Sequence, residues 1–257
     1  MDLPAIADAL FRRRPRCPVC GWRRFYDRPG RPRADCAGCR TLERGRAVWL
    51  CLERLGLLRS GLAVLHVAPE PGIARRLHAL CGERYHPADV DPSQYRHLGL
   101  PVRPLDLCRD LGRVADGAYD LVLHNHVLEH IPCAIEPVLM ELDRIVRPGG
   151  WHLFTVPIGG ERTVEDLAPD LTPAERMTRF HQADHMRLFG ARDFVELLQR
   201  LWGLDGVAVG VADLCTPAEL RRAAVPSAAG RIDGHTVFRR RKPAAPVSAS
   251  GISSAPA

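Results

Sequence analysis

The chain has 257 residues, 46% of them apolar, which is enough to bury the core of one sizeable α/β domain and a small appendage. It holds no run of eighteen apolar residues, so neither a membrane-spanning helix nor a membrane partner is expected. The net charge of +6 is lopsided: residues 1–60 hold fourteen arginines against six acids, residues 239–257 add +4, and residues 61–238 are left at −6. A basic front end attracts phosphates or an acidic partner, and a solvated arginine surface is the competing reading.

Residues 1–16 read as a short helix and an arginine-rich arm. Their charges follow the apolar stretch instead of preceding it, the reverse of a secretory leader, so cytoplasm is the expected location. Cys17-Pro-Val-Cys20 and Cys36-Ala-Gly-Cys39 then form two CxxC knuckles fifteen residues apart. Four thiolates at this spacing suit a tetrahedral metal: a structural Zn2+, with iron as the minor alternative and a redox CxxC disfavoured by the matched pair. All four positions are cysteine, which leaves none open to substrate. Cys51, Cys81, Cys108, Cys133 and Cys215 are scattered and read as buried thiols of a reducing compartment.

From Ala47, Val48, Leu52, Leu55 and Leu58 recur at helical spacing, giving a connecting helix over 46–60 behind a ribbon over 17–45. Strands and helices alternate after it: strand 62–68, helix 72–81, strands at 84–90, 100–106 and 119–125, and another at 150–157. That alternation implies a parallel sheet covered on both faces. The run YDLVLHNHVLEHIPCAIEPVLMELDRIVRPGGWHLF (119–154) is the most informative: a buried strand, a polar turn with histidines and a glutamate, an amphipathic helix, a Pro-Gly-Gly turn and a strand. Ligands of open α/β sheets bind at the carboxyl ends of such strands. Residues 158–190 read as an inserted lid, 191–202 as a helix, 206–213 as a strand, and 234–240 as a final strand reached by a loop through TPAELRRAA. The Pro/Ala/Ser-rich tail, 241–257, is expected to be disordered.

A strand, a glycine-containing turn and a helix, with an acid ending the next strand, is the logic of a dinucleotide site. The turn here is Ala68-Pro69-Glu70-Pro71-Gly72, with one glycine where such loops have three. Asp89 ends the second strand and suits ribose hydroxyls; Asp106 ends the third and suits an exocyclic amine.

In order, VLHVAPEPG, ADVDP, LDL, YDLVLHNHVLEHIP and RIVRPGGWHLF resemble class I S-adenosylmethionine-dependent methyltransferases over roughly residues 61–240. With the cysteine quartet and TLERGR in front, the chain is similar to a bacterial methyltransferase group with an N-terminal zinc ribbon. The resemblance implies a Rossmann-like α/β fold, a seven-stranded sheet whose last strand is antiparallel, and S-adenosylmethionine as cofactor. By position it places His66, Ala68, Glu70 and Gly72 at the methionyl part, Asp89 on the ribose, and Val90, Asp106 and Leu107 at the adenine. His124 and Asn125 fall beside the sulfonium. The family usually carries an acid where His66 stands and glycines where Ala68 and Glu70 stand.

A general base is needed when the acceptor is a hydroxyl or protonated amine, and histidine suits it near neutral pH. His126, just past the fourth strand, is the first candidate. His181 and His185, four apart in RFHQADHMRLFG, would share a helix face and close over the substrate. The leading function is methyl transfer to a small-molecule or peptide acceptor. An RNA methyltransferase gripping phosphates with the basic ribbon, and stacking bases on Trp22, Phe25 and Tyr26, is the second reading. A non-catalytic, zinc-dependent binding protein is the third. The sequence leaves the acceptor atom and the oligomeric state open.

Overall fold

The computed structural model describes residues 14–226 and 231–244; the expected helix within the arm and residues 245–257 of the expected tail fall outside the described residues, and Arg241, expected to begin that disordered tail, instead ends the last strand, paired with Trp151. Strands β1 (Phe25–Arg28) and β2 (Arg31–Cys36) form an antiparallel hairpin between the two knuckles. Helix α1 (Glu43–Arg54) follows, starting earlier than the apolar periodicity indicates because Glu43, Gly45 and Arg46 are buried against the hairpin side.

The central sheet has seven strands. β3 (Val64–Val67), β4 (Tyr85–Asp89), β5 (Arg103–Pro104), β6 (Tyr119–Asn125) and β7 (Val146–Thr155) run parallel. Two short strands, β8 (Val164–Glu165) and β9 (Arg187–Leu188), make a separate hairpin. The last two sheet strands are β10 (Ala208–Val209) and β11 (Phe238–Arg241). The order is β10-β11-β7-β6-β3-β4-β5, with β11 antiparallel to both neighbours, as the expected topology requires.

Side chains alternate across this sheet and divide the core in two. Val64, Leu121, Leu123 and Leu153 pack with α1 and α2 (Pro71–Cys81), whose Val48, Leu52, Ile73 and Leu77 face them. Leu65, Val67, Val122 and Phe154 pack on the other face with α3 (Ile135–Ile145) and α5 (Ala191–Trp202). Ile135, Val138, Leu139, Leu142 and Ile145 of α3, and Phe194, Leu197 and Leu198 of α5, sit at the three- and four-residue spacing that gives a helix one buried face. Each such side chain contributes about 1.5–3 kcal/mol on burial.

The Pro-Gly-Gly element is a bulge inside β7, not a turn before it. Tyr119 pairs with Val146 but Leu121 with Trp151, so four residues of β7 stand opposite one of β6, an excess of three. Gly150 permits this: a Cβ there would lie 2.9 Å from the Asp120 carbonyl oxygen. The expected lid contains β8, β9 and α4 (Pro173–Phe180), and the expected loop at TPAELRRAA contains α6 (Pro217–Arg222). Both short helices are started by a capping box, Thr172 with Glu175 and Thr216 with Glu219. The strand expected over 206–213 pairs only at Ala208 and Val209.

The cysteine module shares the core instead of hanging from it. Cys17, Val19 and Cys36 belong to the same buried cluster as α1 and α2. Arg46 fastens it. Its fully buried guanidinium donates to the carbonyls of Arg33, Ala34 and Thr41 on the module side and of Ala223 and Ala224 beyond α6, at 2.6–2.8 Å.

One cysteine expectation is corrected. Cys108 and Cys133 are bonded, with Cα atoms 6.1 Å apart, because the loops after β5 and before α3 meet at one end of the sheet. The scattered thiols therefore no longer argue for a reducing compartment. Among the described residues no helix is long and apolar enough to cross a membrane.

Candidate active site

The carboxyl ends of β3, β4 and β6 form one edge, and most of the expected site residues stand there. Asp89 ends β4. Its Oδ1 accepts from the backbone N–H of Asp91 and its Oδ2 from the Tyr95 hydroxyl, each at 2.8 Å. Each carboxylate oxygen retains a second acceptor position. Val90 beside it is 70% exposed, an apolar side chain with no protein cover. Asp106 caps its own turn through the N–H of Cys108 at 2.8 Å and stays part-exposed, whereas the Leu107 side chain is buried in the core below.

At the turn after β3, Ala68 takes φ +50°, a left-handed conformation in place of the expected glycine. Glu70 is already engaged. Its Oε2 accepts from Asn125 Nδ2 at 2.9 Å, and Arg44 Nε lies 3.5 Å from its Oε1. Asn125 is set in turn by Thr155, whose hydroxyl donates to its Oδ1 at 3.2 Å. Gly72 explains why one glycine of the loop is retained: a Cβ there would come within 2.1 Å of Thr41 Oγ1 and 3.0 Å of the Cys39 carbonyl. The cysteine module thus lies directly on the turn that begins α2.

Two histidines placed at the cofactor by resemblance lie elsewhere. His66 is fully buried inside β3, with Nδ1 2.8 Å from the Tyr85 hydroxyl, and burial pushes its pKa down to about 3. His124 points away from Asn125 by strand alternation. It is buried against Phe154, rings stacked at 5.0 Å, with Nε2 2.9 Å from His152 Nε2. Burial, then the nearby His66, pushes it too down to about 3.

His126 does stand at the rim, at φ +53° and part-exposed. Its Nε2–H donates to the Gly234 carbonyl at 3.0 Å, and its Nδ1 lies 3.4 Å from Glu129 Oε1. Burial and then the charge of Arg44 hold it well below the ordinary histidine value. His181 and His185 do not share a helix face. α4 ends at Phe180, and His181 is its left-handed cap at φ +63°, exposed to solvent. His185 turns inward instead, its ring 4.7 Å from that of His130. Burial and then His130 push it down to about 4.

Glu129, the residue on which these histidines converge, is fully buried, and neither carboxylate oxygen has a hydrogen-bond partner. Burial pushes its pKa up to about 8. Arg44 and His235 also reach this edge: His235 Nε2 is 3.9 Å from Glu43 Oε1. No spacing in the sequence marks either residue, since both arrive from outside the strand ends.

In the cysteine module, Cys17 and Cys39 sulfurs are 3.7 Å apart and those of Cys20 and Cys36 3.5 Å. All four lie within 4.8 Å of one another. Zinc–sulfur bonds of about 2.3 Å place tetrahedral sulfurs about 3.8 Å apart, so the quartet fits the ion. Cys39 is pushed down to about 5 by hydrogen bonding with Cys17 and Thr41, while Cys17 is pushed up by the same bond and by burial. A cavity of about 520 Å3 beside this module is lined by Arg16, Arg54, Arg76 and Glu219, remote from the strand ends.

Residues 51–208 match the family of the methyltransferase domain. No curated protein matches. Among solved structures, the chain is similar to an S-adenosylmethionine-dependent methyltransferase from Mesorhizobium loti, at 13% identity and TM-score 0.48, covering 76% of this chain and 98% of that one. It is similar to Haemonchus contortus phosphoethanolamine N-methyltransferase 2 in complex with S-adenosyl-L-methionine, at 16% and 0.48, covering 75% and 51%. A chain from the Haloferax volcanii complex between the Trm112 methyltransferase activator and a methyltransferase gives 15% and 0.48, covering 77% and 91%.

Proposed function

Because the chain belongs to the methyltransferase-domain family, we propose that it moves a methyl group from S-adenosylmethionine to a small-molecule or peptide acceptor. When bound, that cofactor supplies a methyl group on a positively charged sulfur. The residues at the sheet edge fit it. Asp89 would accept the ribose hydroxyls with its free acceptor positions, exposed Val90 would cover the adenine, and Asp106 would meet the adenine edge. At the other end Glu70, Asn125 and Arg44 form the polar group that would orient the amino acid part.

The observation that carries the acceptor class is the way residues 158–190 are sewn to the rim. Met186 N–H donates to the Glu129 carbonyl at 2.8 Å. Arg187, fully buried, donates to the carbonyls of Leu128, Ile131 and Cys133. A lid held this way would limit the acceptor to what fits between it and His126, and confinement supplies the alignment that methyl transfer needs. The four cysteines hold zinc in this reading, as a structural ion.

Calorimetric titration with S-adenosylmethionine and with S-adenosylhomocysteine tests the cofactor: heat of binding is expected, and none in folded protein overturns the reading. Incubation of cell extract with methyl-labelled cofactor tests the acceptor. Label in small molecules or peptides is expected; label confined to a ribonuclease-sensitive fraction overturns that part.

The RNA reading has its own support. Tyr26 lies 5.7 Å from the guanidinium of both Arg24 and Arg40 and is 43% exposed, and Trp22 is 55% exposed. Salt-sensitive RNA binding, lost in Tyr26→Ala, is its test. The non-catalytic reading rests on Glu70 in place of glycine. Cofactor binding without any transfer of label is the result that favours it.

A further inference from the structure

We propose that Glu129, His130 and His185 form a second metal site, for a divalent transition ion, at the rim beside His126. One ligand atom from each of the three lies within 4.8 Å of the other two. Glu129 Oε1 is 3.8 Å from His130 Nε2 and 4.0 Å from His185 Nε2. These separations are too long for hydrogen bonds. Metal bonds of about 2.0–2.2 Å hold neighbouring donors about 3.0–3.6 Å apart, so a contraction of about half an ångström at each of these two edges closes the site.

The hydrogen bonds of His130 and His126 aim a lone pair of each inward, while the buried Nδ1 of His185 has no partner. His130 Nδ1 faces the Asp184 carbonyl oxygen at 3.4 Å and the Asp184 carboxylate at 3.4 Å; both only accept, so the proton sits on Nδ1 and Nε2 presents its lone pair to Glu129. A histidine whose outer nitrogen is held by a carboxylate is the usual arrangement behind a metal ligand. His126 follows the same rule. Its Nε2–H is given to the Gly234 carbonyl, which leaves the Nδ1 lone pair facing the same Glu129 oxygen at 3.4 Å. Glu129 has no donor on either oxygen and no exposure to water. Acceptors turned on one another in this way are satisfied by a positive charge among them, either a proton on Glu129 or a metal ion.

The site is also built. His185 is carried by the segment that Met186 and Arg187 tie to the residues around Glu129, and Arg176 donates to the His185 carbonyl at 3.1 Å. The donor set, two imidazoles and a carboxylate, suits iron(II), cobalt, manganese or zinc more than calcium or magnesium. Part-exposed His130 and His126 leave one side open. An oxygen of the acceptor, a hydroxyl or carboxylate, would occupy that side. This last use rests on the methyl-transfer reading; the metal site itself does not.

The test uses full-length protein whose cysteine site is already loaded with zinc. Titration with cobalt(II) is expected to add one further equivalent, with weak visible bands and no thiolate charge-transfer band. Glu129→Gln and His185→Ala are expected to weaken that binding at least tenfold, while Glu129→Gln keeps the wild-type far-ultraviolet dichroism. Wild-type protein that takes up no second equivalent overturns the proposal, as does a thiolate band or undiminished binding in both variants. Should both variants fail to fold, the wild-type stoichiometry and spectrum decide. Calorimetry with S-adenosylmethionine on the same sample reads the cofactor separately, so loss of the metal site and loss of the methyl-transfer reading give different results.

Discussion

Asn125 at the end of β6 donates to Glu70 in the turn after β3 at 2.9 Å, joining two strand ends fifty-five residues apart. The acceptor stands where related loops carry glycine, so this bond replaces a bare backbone approach with a fixed carboxylate. Glu70→Ala leaves the Asn125 amide and the buried Arg44 Nε without that partner. A loss of about 1–3 kcal/mol in stability is expected, read by urea denaturation, with cofactor affinity falling about tenfold by calorimetry. Unchanged affinity would remove Glu70 from the cofactor site.

Asp89 keeps its side chain fixed through Asp91 and Tyr95 while leaving acceptor positions open. Asp89→Ala is expected to weaken S-adenosylmethionine and S-adenosylhomocysteine alike, by at least tenfold, because hydrogen bonds to a charged acceptor are worth about 1.5–3 kcal/mol each. The melting temperature should fall as well, because the Asp91 N–H and the Tyr95 hydroxyl lose the same acceptor. Equal affinities in variant and wild type would break the assignment of the ribose.

Metal removal should destabilise the whole molecule and not the hairpin alone. Cys17 and Cys36 are in the core cluster shared with α1 and α2. Chelation of the cysteine site is expected to lower the melting temperature in a single cooperative transition. A separate early transition, with the main one unmoved, would show the module to be an independent appendage.

His66 gives the expected response to acid. Its folded pKa of about 3 lies below the ordinary value of 6.5, and burial is the cause. Between those values the unfolded chain binds a proton that the folded chain does not, so stability is present above pH 6.5 and is lost as pH falls toward 3. The slope is on the order of one kcal/mol per pH unit for each such histidine. His66→Asn should flatten the fall in melting temperature between pH 6 and 4; an unchanged profile would assign the acid sensitivity elsewhere.

The sequence carries the frame well and the site only in part. The helix over Ala191–Trp202 and the strand over Tyr119–Asn125 are legible because one has a clean apolar face and the other is apolar throughout its middle. The final antiparallel strand follows from the resemblance. What escapes is long-range. Glu129 and His185 are far apart in the chain, so no local pattern shows that they meet, and a left-handed residue at His181 breaks a helix face that spacing alone suggests. His124 is misplaced by one step of strand alternation. Cys108 and Cys133 pair only because two loops meet at the sheet edge. Thr172 and Thr216 begin capping boxes whose signature stands in both TPAE segments, yet the expected lid and loop pass over both helices.

Arg46 has a consequence for synthesis. Its guanidinium closes on carbonyls at residues 33–41 and again at 223–224, some 177 positions downstream. The cysteine module leaves the ribosome before residues 223–224, so this buried cation stays half-satisfied until that segment has emerged. At about 5–20 residues per second, that interval lasts on the order of ten to forty seconds. The nascent amino-terminal module must therefore pass that time with Arg46 in water or against temporary partners, and its last polar contacts form among the final events of folding.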